Sequence, residues 1–360
     1  MKAAVCRAFG QPLTIEEIEI APPGPNEIKV RVAACAICHS DIHYIEGAWG
    51  GELPAVYGHE AAGIVEETGS GVSGIAPGDH VVVTLIRSCG RCHYCTQGLP
   101  TLCEGKFALD AKGPLNAADG APIVHGLRTG AFAECTVVHA SQAVAIPHDV
   151  PLDSASLLAC GVITGYGAVA NTANLPAGAN VVVIGTGGVG LNSIQGAALR
   201  GARTIIAVDL SDEKLAAAKK FGATHGVNPE KEKASKAIRA LTGGRGADFA
   251  FVTVGAKSAI EQAFIYIAKA GTVVIVGMPA TGVTTSFDPS RLAVGGQKVL
   301  GSLMGSTRVS VDLPILVDLY KQRRLKLDEL ITGRYPLERI NDAIASVVGG
   351  EALRNVIVFA

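Results

Sequence analysis

One turn in the second half of the chain constrains the fold more than any other feature. The apolar run VVVIG (181–185) leads into Gly185, Gly187, Gly188 and Gly190, and the helical stretch LNSIQGAALRG follows. Glycines at these positions permit a tight strand-to-helix turn whose backbone N–H groups approach a pyrophosphate at the helix N-terminus. The pattern therefore predicts part of a parallel α/β sheet and favours a dinucleotide as its ligand.

An acidic residue at the end of the next strand extends this pattern. Asp209 closes the predicted strand TIIAVD (204–209), nineteen residues after Gly190. A carboxylate there accepts hydrogen bonds from the adenosine ribose, and its charge would repel a 2′-phosphate. The pattern favours NAD over NADP. The alternative, an ordinary glycine-rich turn, does not account for the agreement of strand, glycines, helix and acid.

The two halves of the chain differ in their predicted elements. Up to about residue 150, short alternating or β-branched runs are separated by turn sequences such as PPGPN and GSGVSG, which predicts a compact β-rich unit. From about residue 155, strands alternate with helices, which predicts a doubly wound parallel sheet. The later elements are helix DEKLAAAKKFG, strand 248–254, helix AIEQAFIYIAKAG, strand 272–277, helices near 313–323 and 337–348, and a closing strand NVIVF.

Composition excludes several classes of protein. Of 360 residues, 48% are hydrophobic and 18% charged, which excludes disorder and fits two domains. The 31 basic and 32 acidic residues give a net charge of −1, so we expect neither nucleic acid nor a membrane surface as partner. The uncharged stretch 154–199 is interrupted by glycines and Pro176, and the N-terminus lacks a signal-peptide core. A soluble, cytoplasmic protein is expected.

Nine cysteines, none beyond Cys160, place the expected metal chemistry in the first half of the chain. Four of them, spaced x2, x2 and x7, offer four thiolates within fifteen residues, which suits a closed, structural zinc site. Iron–sulfur ligation is the alternative for this set. His93 lies among the four but is expected to be a bystander. The four are Cys89, Cys92, Cys95 and Cys103.

A second, dispersed set of residues could form an open metal site. Cys38, His59 and Cys160 would give two sulfurs and one nitrogen with a free fourth position, as a catalytic zinc requires. Each is ambiguous alone, since Cys160 could be a core thiol and a single histidine is often structural.

The order of these motifs resembles a known family. AICHSDIH, GHEAAGIVEETGSGV, the four-cysteine lobe, CGVITGYGA and VVVIGTGGVG resemble the zinc-dependent alcohol dehydrogenases of the medium-chain dehydrogenase/reductase family over essentially the whole chain. The resemblance implies an α/β protein with a GroES-like β-rich catalytic domain from 1–161 (with the zinc lobe 89–103) and 304–360. A Rossmann NAD-binding domain would occupy 162–303. It also implies a homodimer or homotetramer.

The resemblance also implies metal and proton-transfer roles. Cys38, His59 and Cys160 match the catalytic zinc ligands, with Glu60 as a neighbouring acid that can transiently coordinate the metal. Ser40 and His43 match the relay that removes the alcohol proton, and Asp41 the carboxylate that steadies His59. The four-cysteine lobe matches a second, structural zinc site.

Further positions match cofactor contacts in the family. Thr164 and Val189 resemble residues that hold the nicotinamide, and Asp209 and Lys214 those at the adenosine ribose. His39 and Arg354 fall where the family contacts the pyrophosphate, and His39 replaces the arginine of some members, so looser cofactor binding is expected. The cysteines without a family role, Cys6, Cys35 and Cys135, are expected to pack in the core.

Two residues match positions that line the family's substrate pocket. Trp49 would exclude bulky alcohols near the metal, and Leu85 would leave room on the opposite wall. The alternative for Trp49, in the glycine-rich GAWGGELP, is a side chain covering a surface loop.

The predicted function is reversible hydride transfer from a primary or simple secondary alcohol to NAD⁺ in an enzyme holding two zinc ions. One alternative is oxidation of a formaldehyde–thiol adduct on the same scaffold, for which the role of Arg128 is open. A zinc-bearing binding protein is a second alternative, which the open ligand set and the Ser/His pair disfavour.

Overall fold

The computed structural model describes residues 1–359 and divides into two compact units. The first comprises Met1–Gly161 and the segment from Arg308 onward, and the second Val162–Thr307. The sequence boundary at 303 differs from this division by four residues. Residues 304–307 group with the second unit because the Thr307 hydroxyl donates to the Ile163 carbonyl and Gly305 packs directly on Gly167.

The first unit is built mainly from two sheets. Its elements, numbered along the whole chain, are β1 (Lys2–Cys6), β2 (Thr14–Ile20), β3 (Glu27–Ala36), α1 (His39–Ile45), β4 (Ala55–Val56), β5 (Glu60–Thr68), β6 (His80–Val83), α2 (His93–Thr96), α3 (Ala108–Ala111), β7 (Leu115–Ala117), β8 (Pro122–His125), β9 (Cys135–His139), β10 (Ala143–Ile146), α4 (Leu152–Ser156), α11 (Val309–Lys321), β17 (Ile331–Pro336), α12 (Ile340–Val348) and β18 (Arg354–Val358).

These strands form a closed barrel, β1-β2-β7-β8-β4, and a seven-stranded sheet in the order β10-β6-β5-β3-β18-β17, with β9 paired to β3. The C-terminal strand β18 runs antiparallel to β3, so both ends of the chain contribute to one sheet. The alternating apolar residues predicted a half-buried β structure, and their inward faces supply its core. Register brings Glu60 opposite Ala36, which sets the strand ends carrying the metal-ligand candidates side by side.

The second unit contains one parallel sheet. Its elements are α5 (Gly161–Gly167), a π-helical turn (Ala168–Thr172), β11 (Asn180–Ile184), α6 (Gly188–Leu199), β12 (Thr204–Val208), α7 (Asp212–Lys220), β13 (His225–Val227), α8 (Ala234–Leu241), β14 (Ala247–Val252), α9 (Lys257–Tyr266), β15 (Ile267–Ile275), α10 (Pro289–Gly295) and β16 (Lys298–Gly301).

The strand order β13-β12-β11-β14-β15-β16 is that of a doubly wound dinucleotide-binding fold. The order reverses between β11 and β14, and ligands bind at such a reversal, outside the carboxyl ends of the strands. The glycine-rich turn after β11 lies at this point. The predicted α/β class with a GroES-like β-rich part and a Rossmann sheet is confirmed.

One predicted helix is shorter than expected. The sequence predicted helix through AIEQAFIYIAKAG, whereas α9 ends at Tyr266 and Ile267 begins β15. Ile267 has extended backbone and pairs with Ala247, and Ala270 takes a left-handed φ of 60°. Sheet pairing therefore overrides the helical propensity of this stretch.

No single helix among residues 1–359 is long and apolar enough to cross a membrane. The bent pair Leu152–Ala159 and Gly161–Thr172 passes by length and composition only when taken together.

Candidate functional site

Four buried ligand-type side chains meet in the first unit. Candidate ligand atoms of Cys38, His59, Glu60 and Cys160 all lie within 4.8 Å of one another. Cys38 is the N-cap of α1, His59 and Glu60 lead into β5, and Cys160 ends the short 3₁₀ turn Leu157–Ala159. The fold thus brings together residues more than a hundred positions apart.

Asp41 holds three parts of this cluster in place through hydrogen bonds to its carboxylate. Its fully buried carboxylate accepts the Cys38 backbone N–H at 3.1 Å and the Gly58 backbone N–H at 2.9 Å. It also lies 2.9 Å from Nδ1 of His59. Because a carboxylate accepts, His59 Nδ1 donates the proton, and Nε2 is left as a lone-pair donor facing away.

The cluster favours a cation. Nε2 of His59 and Oε1 of Glu60 are buried without a hydrogen-bond partner, a costly arrangement for polar atoms. Burial lowers the pKa of His59, but Asp41 and Cys38 outweigh it and raise that pKa to about 10, so a cation bound at Nε2 would take the place of a proton there. The pKa of Cys38 is held well below its usual value, first by its hydrogen bond with Cys160. Two sulfurs, one imidazole and an adjacent carboxylate match the ligands that zinc prefers.

Glu60 is also paired to the other end of the chain. Arg354, at the start of β18 and only 5% exposed, donates through Nη2 to Oε2 of Glu60. The other carboxylate oxygen, Oε1, is buried without a hydrogen-bond partner. The structure therefore shows Arg354 bound to Glu60, while its predicted contact with a pyrophosphate remains a prediction.

The first turns of α1 carry the predicted proton relay. Ser40 and His43 lie three residues apart on this helix, and both are half-buried. Residues at this spacing share a helix face. His43 Nδ1 is buried without a hydrogen-bond partner, and its ring lies against Trp49 with centroids 4.9 Å apart. His39, the first residue of α1, is exposed.

The four-cysteine lobe has the geometry of a closed metal site. The four sulfurs of Cys89, Cys92, Cys95 and Cys103 all lie within 4.8 Å of one another, and those of Cys92 and Cys103 are 4.0 Å apart. Tetrahedral zinc–thiolate bonds of about 2.3 Å place sulfurs roughly 3.8 Å apart.

Backbone N–H groups of the lobe point at its sulfurs. Those of Cys89 and Gly105 donate to the Cys103 sulfur at 3.2 Å. Backbone hydrogen bonds from Cys95 and Glu104 lower the pKa of Cys92 to about 6, so its ligating thiolate form is favoured. His93 is exposed and bonds Gln97, as expected for a bystander.

The glycine-rich turn of the second unit is built for close backbone approach. Gly185 has a left-handed φ of 88°, and a Cβ on Gly190 would come within 1.9 Å of the Gly185 carbonyl oxygen. A Cβ on Gly187 would meet nothing within 4 Å, so this face of the turn is open. No side chain caps the N-terminus of α6, which leaves its first N–H groups available to an anion.

Asp209 lies beside this turn. Its carboxylate accepts the Thr186 backbone N–H at 2.7 Å, the Thr186 hydroxyl at 2.9 Å and the Ser211 N–H at 3.0 Å. Lys214, in α7, is half-buried nearby in the chain, and Val189 is half-buried at the start of α6. The Thr164 hydroxyl lies 3.7 Å from the Met304 sulfur.

A pocket of about 350 Å³ opens within the first unit. Leu85 lines it, whereas Trp49 is not among its lining residues and instead packs on His43 and edge-on to Tyr44. Sequence reasoning missed Tyr44 and Tyr57 in its wall. It also missed Arg87, a guanidinium buried to 2% exposure behind the wall. No local motif marks these residues.

The remaining cysteines are free thiols. Cys6 and Cys35 are buried, as expected for core residues. Cys135 differs, because it is only half-buried at the start of β9, with its sulfur 3.8 Å from Glu66 Oε2.

Comparison with known proteins fits this arrangement. The alcohol dehydrogenase GroES-like domain family matches residues 24–148, and the zinc-binding dehydrogenase family matches 188–322. A Schizosaccharomyces pombe protein named "Probable S-(hydroxymethyl)glutathione dehydrogenase 1" is 38% identical, over 99% of this chain and 96% of its own. The chain belongs to the zinc-dependent alcohol dehydrogenases of the medium-chain dehydrogenase/reductase family. It is an oxidoreductase.

Two further relatives share its full length. The NDMA-dependent alcohol dehydrogenase of Amycolatopsis methanolica is 37% identical over 99% of this chain and 98% of its own. The crystal structure of benzyl alcohol dehydrogenase from Acinetobacter calcoaceticus superposes with a TM-score of 0.94 at 31% identity, covering 100% of this chain and 99% of that one.

Proposed function

We propose that this enzyme oxidises primary or simple secondary alcohols to aldehydes or ketones with NAD⁺, reversibly, at the Cys38–His59–Cys160 cluster. One observation carries the proposal. The buried cluster presents two sulfurs and an unpartnered imidazole nitrogen whose ring is held by Asp41. A structural zinc needs four permanent protein ligands, and the fourth candidate here, Glu60, already pairs one carboxylate oxygen with Arg354. We therefore assign Cys38, His59 and Cys160 as the permanent ligands and Glu60 as a transient one, which leaves a position for substrate.

Zinc, the nicotinamide and the side chains would each carry a different part of the reaction. When bound, zinc supplies Lewis acidity that lowers the pKa of an alcohol, and the nicotinamide supplies the hydride acceptor. The Ser40 hydroxyl would accept the alcohol proton as its own proton passes on to His43, three residues along α1. His43, whose Nδ1 has no hydrogen-bond partner, would then release a proton to solvent. Asp41 holds His59 in the tautomer that ligates through Nε2.

NAD is the proposed cofactor because of Asp209. Its carboxylate is fixed at the end of β12 by Thr186 and Ser211, beside the turn that would take the pyrophosphate. A fixed negative charge there repels a 2′-phosphate. Gly185, Gly187, Gly188 and Gly190 would hold the pyrophosphate, Lys214 would assist at the ribose, and Thr164 and Val189 would contact the nicotinamide. The pyrophosphate contacts of His39 and Arg354 stay predictions.

The proposed metal content is two zinc ions per chain, one at the cluster and one in the lobe. Support for the second ion comes from the distances between the sulfurs and from the backbone N–H groups that donate hydrogen bonds to them. Because four thiolates complete the shell, this ion would have no place for substrate and would stabilise the lobe.

A homodimer or homotetramer is the proposed assembly, and the cytoplasm the proposed location. Strand β16 lies at the edge of the parallel sheet, and exposed edges favour pairing with another chain. Exposed apolar side chains surround it in sequence. They are Met278, Val283, Phe287, Val294, Val299 and Leu303.

Oxidation of a formaldehyde–thiol adduct is the second candidate. Two observations favour it: the name of the S. pombe relative and the presence of Arg128 in the pocket wall. Turnover of formaldehyde with and without low-molecular-weight thiols distinguishes it. A strict requirement for the thiol would favour this candidate over the first.

The test is a panel of alcohols assayed by NADH absorbance with the wild type, Cys38→Ser and Cys135→Ser. Wild type and Cys135→Ser should reduce NAD⁺, whereas Cys38→Ser should remain folded and bind NAD⁺ but show no turnover. A fully active Cys38→Ser enzyme, or no turnover of any alcohol by the zinc-loaded wild type, would overturn the proposal.

A further inference from the structure

The pocket of the first unit is aromatic on one side and charged on the other. The rings of Tyr44 and Tyr57 stack in its wall with centroids 5.7 Å apart. The Tyr44 ring lies 5.4 Å from the Trp49 ring, which in turn lies 4.9 Å from the ring of the relay residue His43, so ring contacts join the aromatic wall to the proposed reaction site. Its other lining residues are Gly51, Glu52, Leu85, Val124, His125, Gly126, Leu127 and Arg128.

The charged wall is made by strained backbone. Leu127 and Arg128 have left-handed φ values of 51° and 58°, a conformation that costs energy for residues other than glycine. Such strain persists only where the surroundings impose it, and it concentrates at ligand-binding sites. The surroundings of these two residues therefore hold the wall at this point in one backbone conformation.

A buried polar network imposes this conformation. The Arg128 carbonyl accepts hydrogen bonds from Gln142 Nε2 at 3.0 Å and from Arg87 Nη2 at 3.3 Å. Arg87 is fixed in turn by Gln142 Oε1 at 2.7 Å and by the Phe107 ring, 5.3 Å below its guanidinium. The backbone of Arg128 is thus anchored from behind, and its side chain extends from a rigid base.

The Arg128 guanidinium shares one carboxylate, that of Asp110, with Arg87. Asp110 Oδ1 is 2.8 Å from Arg87 Nη1 but 4.0 Å from Arg128 Nε, so Arg87 is its main partner. No other carboxylate among residues 1–359 lies within an ion-pair distance of Arg128, whose side chain is 50% exposed. An arginine fork in this state binds a carboxylate through two parallel N–H donors.

The other titratable groups of the wall do not take this role. His125 donates through Nε2 to the Thr129 carbonyl at 2.6 Å, and burial lowers its pKa to about 4, so it is neutral near pH 7. Glu52 is exposed on the same lining and opposes an anion. Arg128 is the one cation among the lining residues.

We propose that Arg128 is a specificity-determining residue that binds the carboxylate of alcohols whose far end is anionic, with their apolar middle between the two tyrosines and Leu85. This inference rests on the proposed alcohol dehydrogenase function. It assigns the pocket to ω-hydroxy acids and carboxylated aryl alcohols in preference to their neutral counterparts.

The experiment measures kcat/KM for matched pairs of substrates with the zinc-loaded enzyme and NAD⁺. The pairs are para-(hydroxymethyl)benzoate with benzyl alcohol, and ω-hydroxy acids of increasing length with 1-alkanols of equal carbon number. Wild type should prefer the carboxylate at one or more lengths, and added salt should weaken that preference. Arg128→Gln should lower the carboxylate-to-neutral ratio about tenfold, and Arg128→Lys should retain part of it.

The chain offers a matched control for this substitution. Arg323 is exposed, belongs to the same unit, has the same left-handed φ of 58° and lies outside the pocket. Arg323→Gln should leave the ratio unchanged. Glu52→Gln should raise it, because a repulsive charge is removed.

Binding provides a readout that does not depend on turnover. Trp49, the only tryptophan, lies 5.4 Å from the Tyr44 ring, so its fluorescence reports ligands in the pocket. Benzoate should bind more tightly to wild type than to Arg128→Gln. Equal ratios and equal benzoate affinities in these two proteins would overturn the proposal while neutral alcohols are still oxidised. If the zinc-loaded wild type oxidised no alcohol but bound benzoate more tightly than Arg128→Gln did, the result would instead count against the dehydrogenase function.

Discussion

At the scale of single residues, the buried aspartate Asp41 has the largest share in shaping the metal cluster. It bonds the backbone at Cys38 and Gly58 as well as the His59 ring, so three parts of the site share one carboxylate. Such outer carboxylates fix the tautomer and orientation of a ligating histidine. The proposed zinc site therefore depends on a residue that is not itself one of the proposed ligands.

We therefore expect Asp41→Asn to weaken the catalytic metal site by about 10–100-fold in zinc affinity. Asparagine can still accept from the backbone, but it cannot stabilise the His59 proton in the same way. Metal analysis after dialysis against a chelator should show loss of one zinc ion per chain, with the lobe zinc retained. The control is Asp119→Asn, which makes the same substitution at an exposed turn residue. Retention of both ions in Asp41→Asn would contradict the role of Asp41.

Cofactor preference belongs to the same scale. Asp209 holds Thr186 by two hydrogen bonds, so its removal by glycine would disturb the turn as well as the charge. Asp209→Asn keeps an acceptor and removes the charge. Its NAD/NADP ratio of kcat/KM should fall by about tenfold or more, roughly 1.4 kcal/mol per factor of ten. An unchanged ratio would show that Asp209 does not select the cofactor. Asp248→Asn, at a carboxylate that accepts the Asn180 N–H away from the turn, is the control.

At the scale of elements, the lobe lacks regular structure of its own. Helix α2 has only four residues and no buried side chain, so apolar packing contributes little to its stability. Its sulfurs and the N–H groups that surround them supply the organising contacts. Metal binding and local folding should therefore be coupled.

Cys92→Ala should remove the lobe zinc and lower the melting temperature by about 5–10 °C. Limited proteolysis should cut between residues 89 and 103, while the catalytic zinc remains. Cys135→Ala, which changes a half-buried thiol outside both clusters, is the matched control. A resistant lobe without its zinc would refute the coupling.

At the scale of the whole molecule, the open edge of the parallel sheet is the surface through which we propose that chains associate. Val294 is 84% exposed in α10, next to the edge strand β16. Large exposed apolar side chains near an open strand edge favour an interface. A stable interface buries about 800 Å² on each partner, which a strand with its neighbouring helix can supply.

Val294→Asp should shift the protein from dimer to monomer in sedimentation velocity runs at micromolar concentration. The charge would have to be buried without a partner, which disfavours association by an order of magnitude or more. Val348→Asp changes another exposed valine, in the first unit, and should leave the assembly unchanged. An equal effect of both variants would place the interface elsewhere.

The sequence alone determined the features that local spacing encodes. Short-range patterns predicted the four lobe cysteines and the glycine turn with Asp209. They also predicted the strands of the first unit and the alternating strands and helices of the second. Turns, metal-binding loops and half-buried strands need particular residues at fixed intervals, which is why such patterns are readable. Ligand chemistry suggested the grouping of Cys38, His59 and Cys160, and the resemblance supported it. The predicted end of α9 was wrong, because the helix is cut short by the pairing of Ile267 with Ala247, a long-range contact that the local sequence does not show.

Only the tertiary structure decided what distant residues do to one another. The pairing of Glu60 with Arg354 joins residues that are 294 positions apart, and Arg87 reaches Arg128 across 41 positions. The spacing of residues in the sequence does not predict such contacts, because they depend on how sheets and loops pack after folding. The pocket wall is of the same kind: Tyr44, Tyr57 and Arg128 become neighbours through the barrel and its loops, and their chemistry follows from that placement.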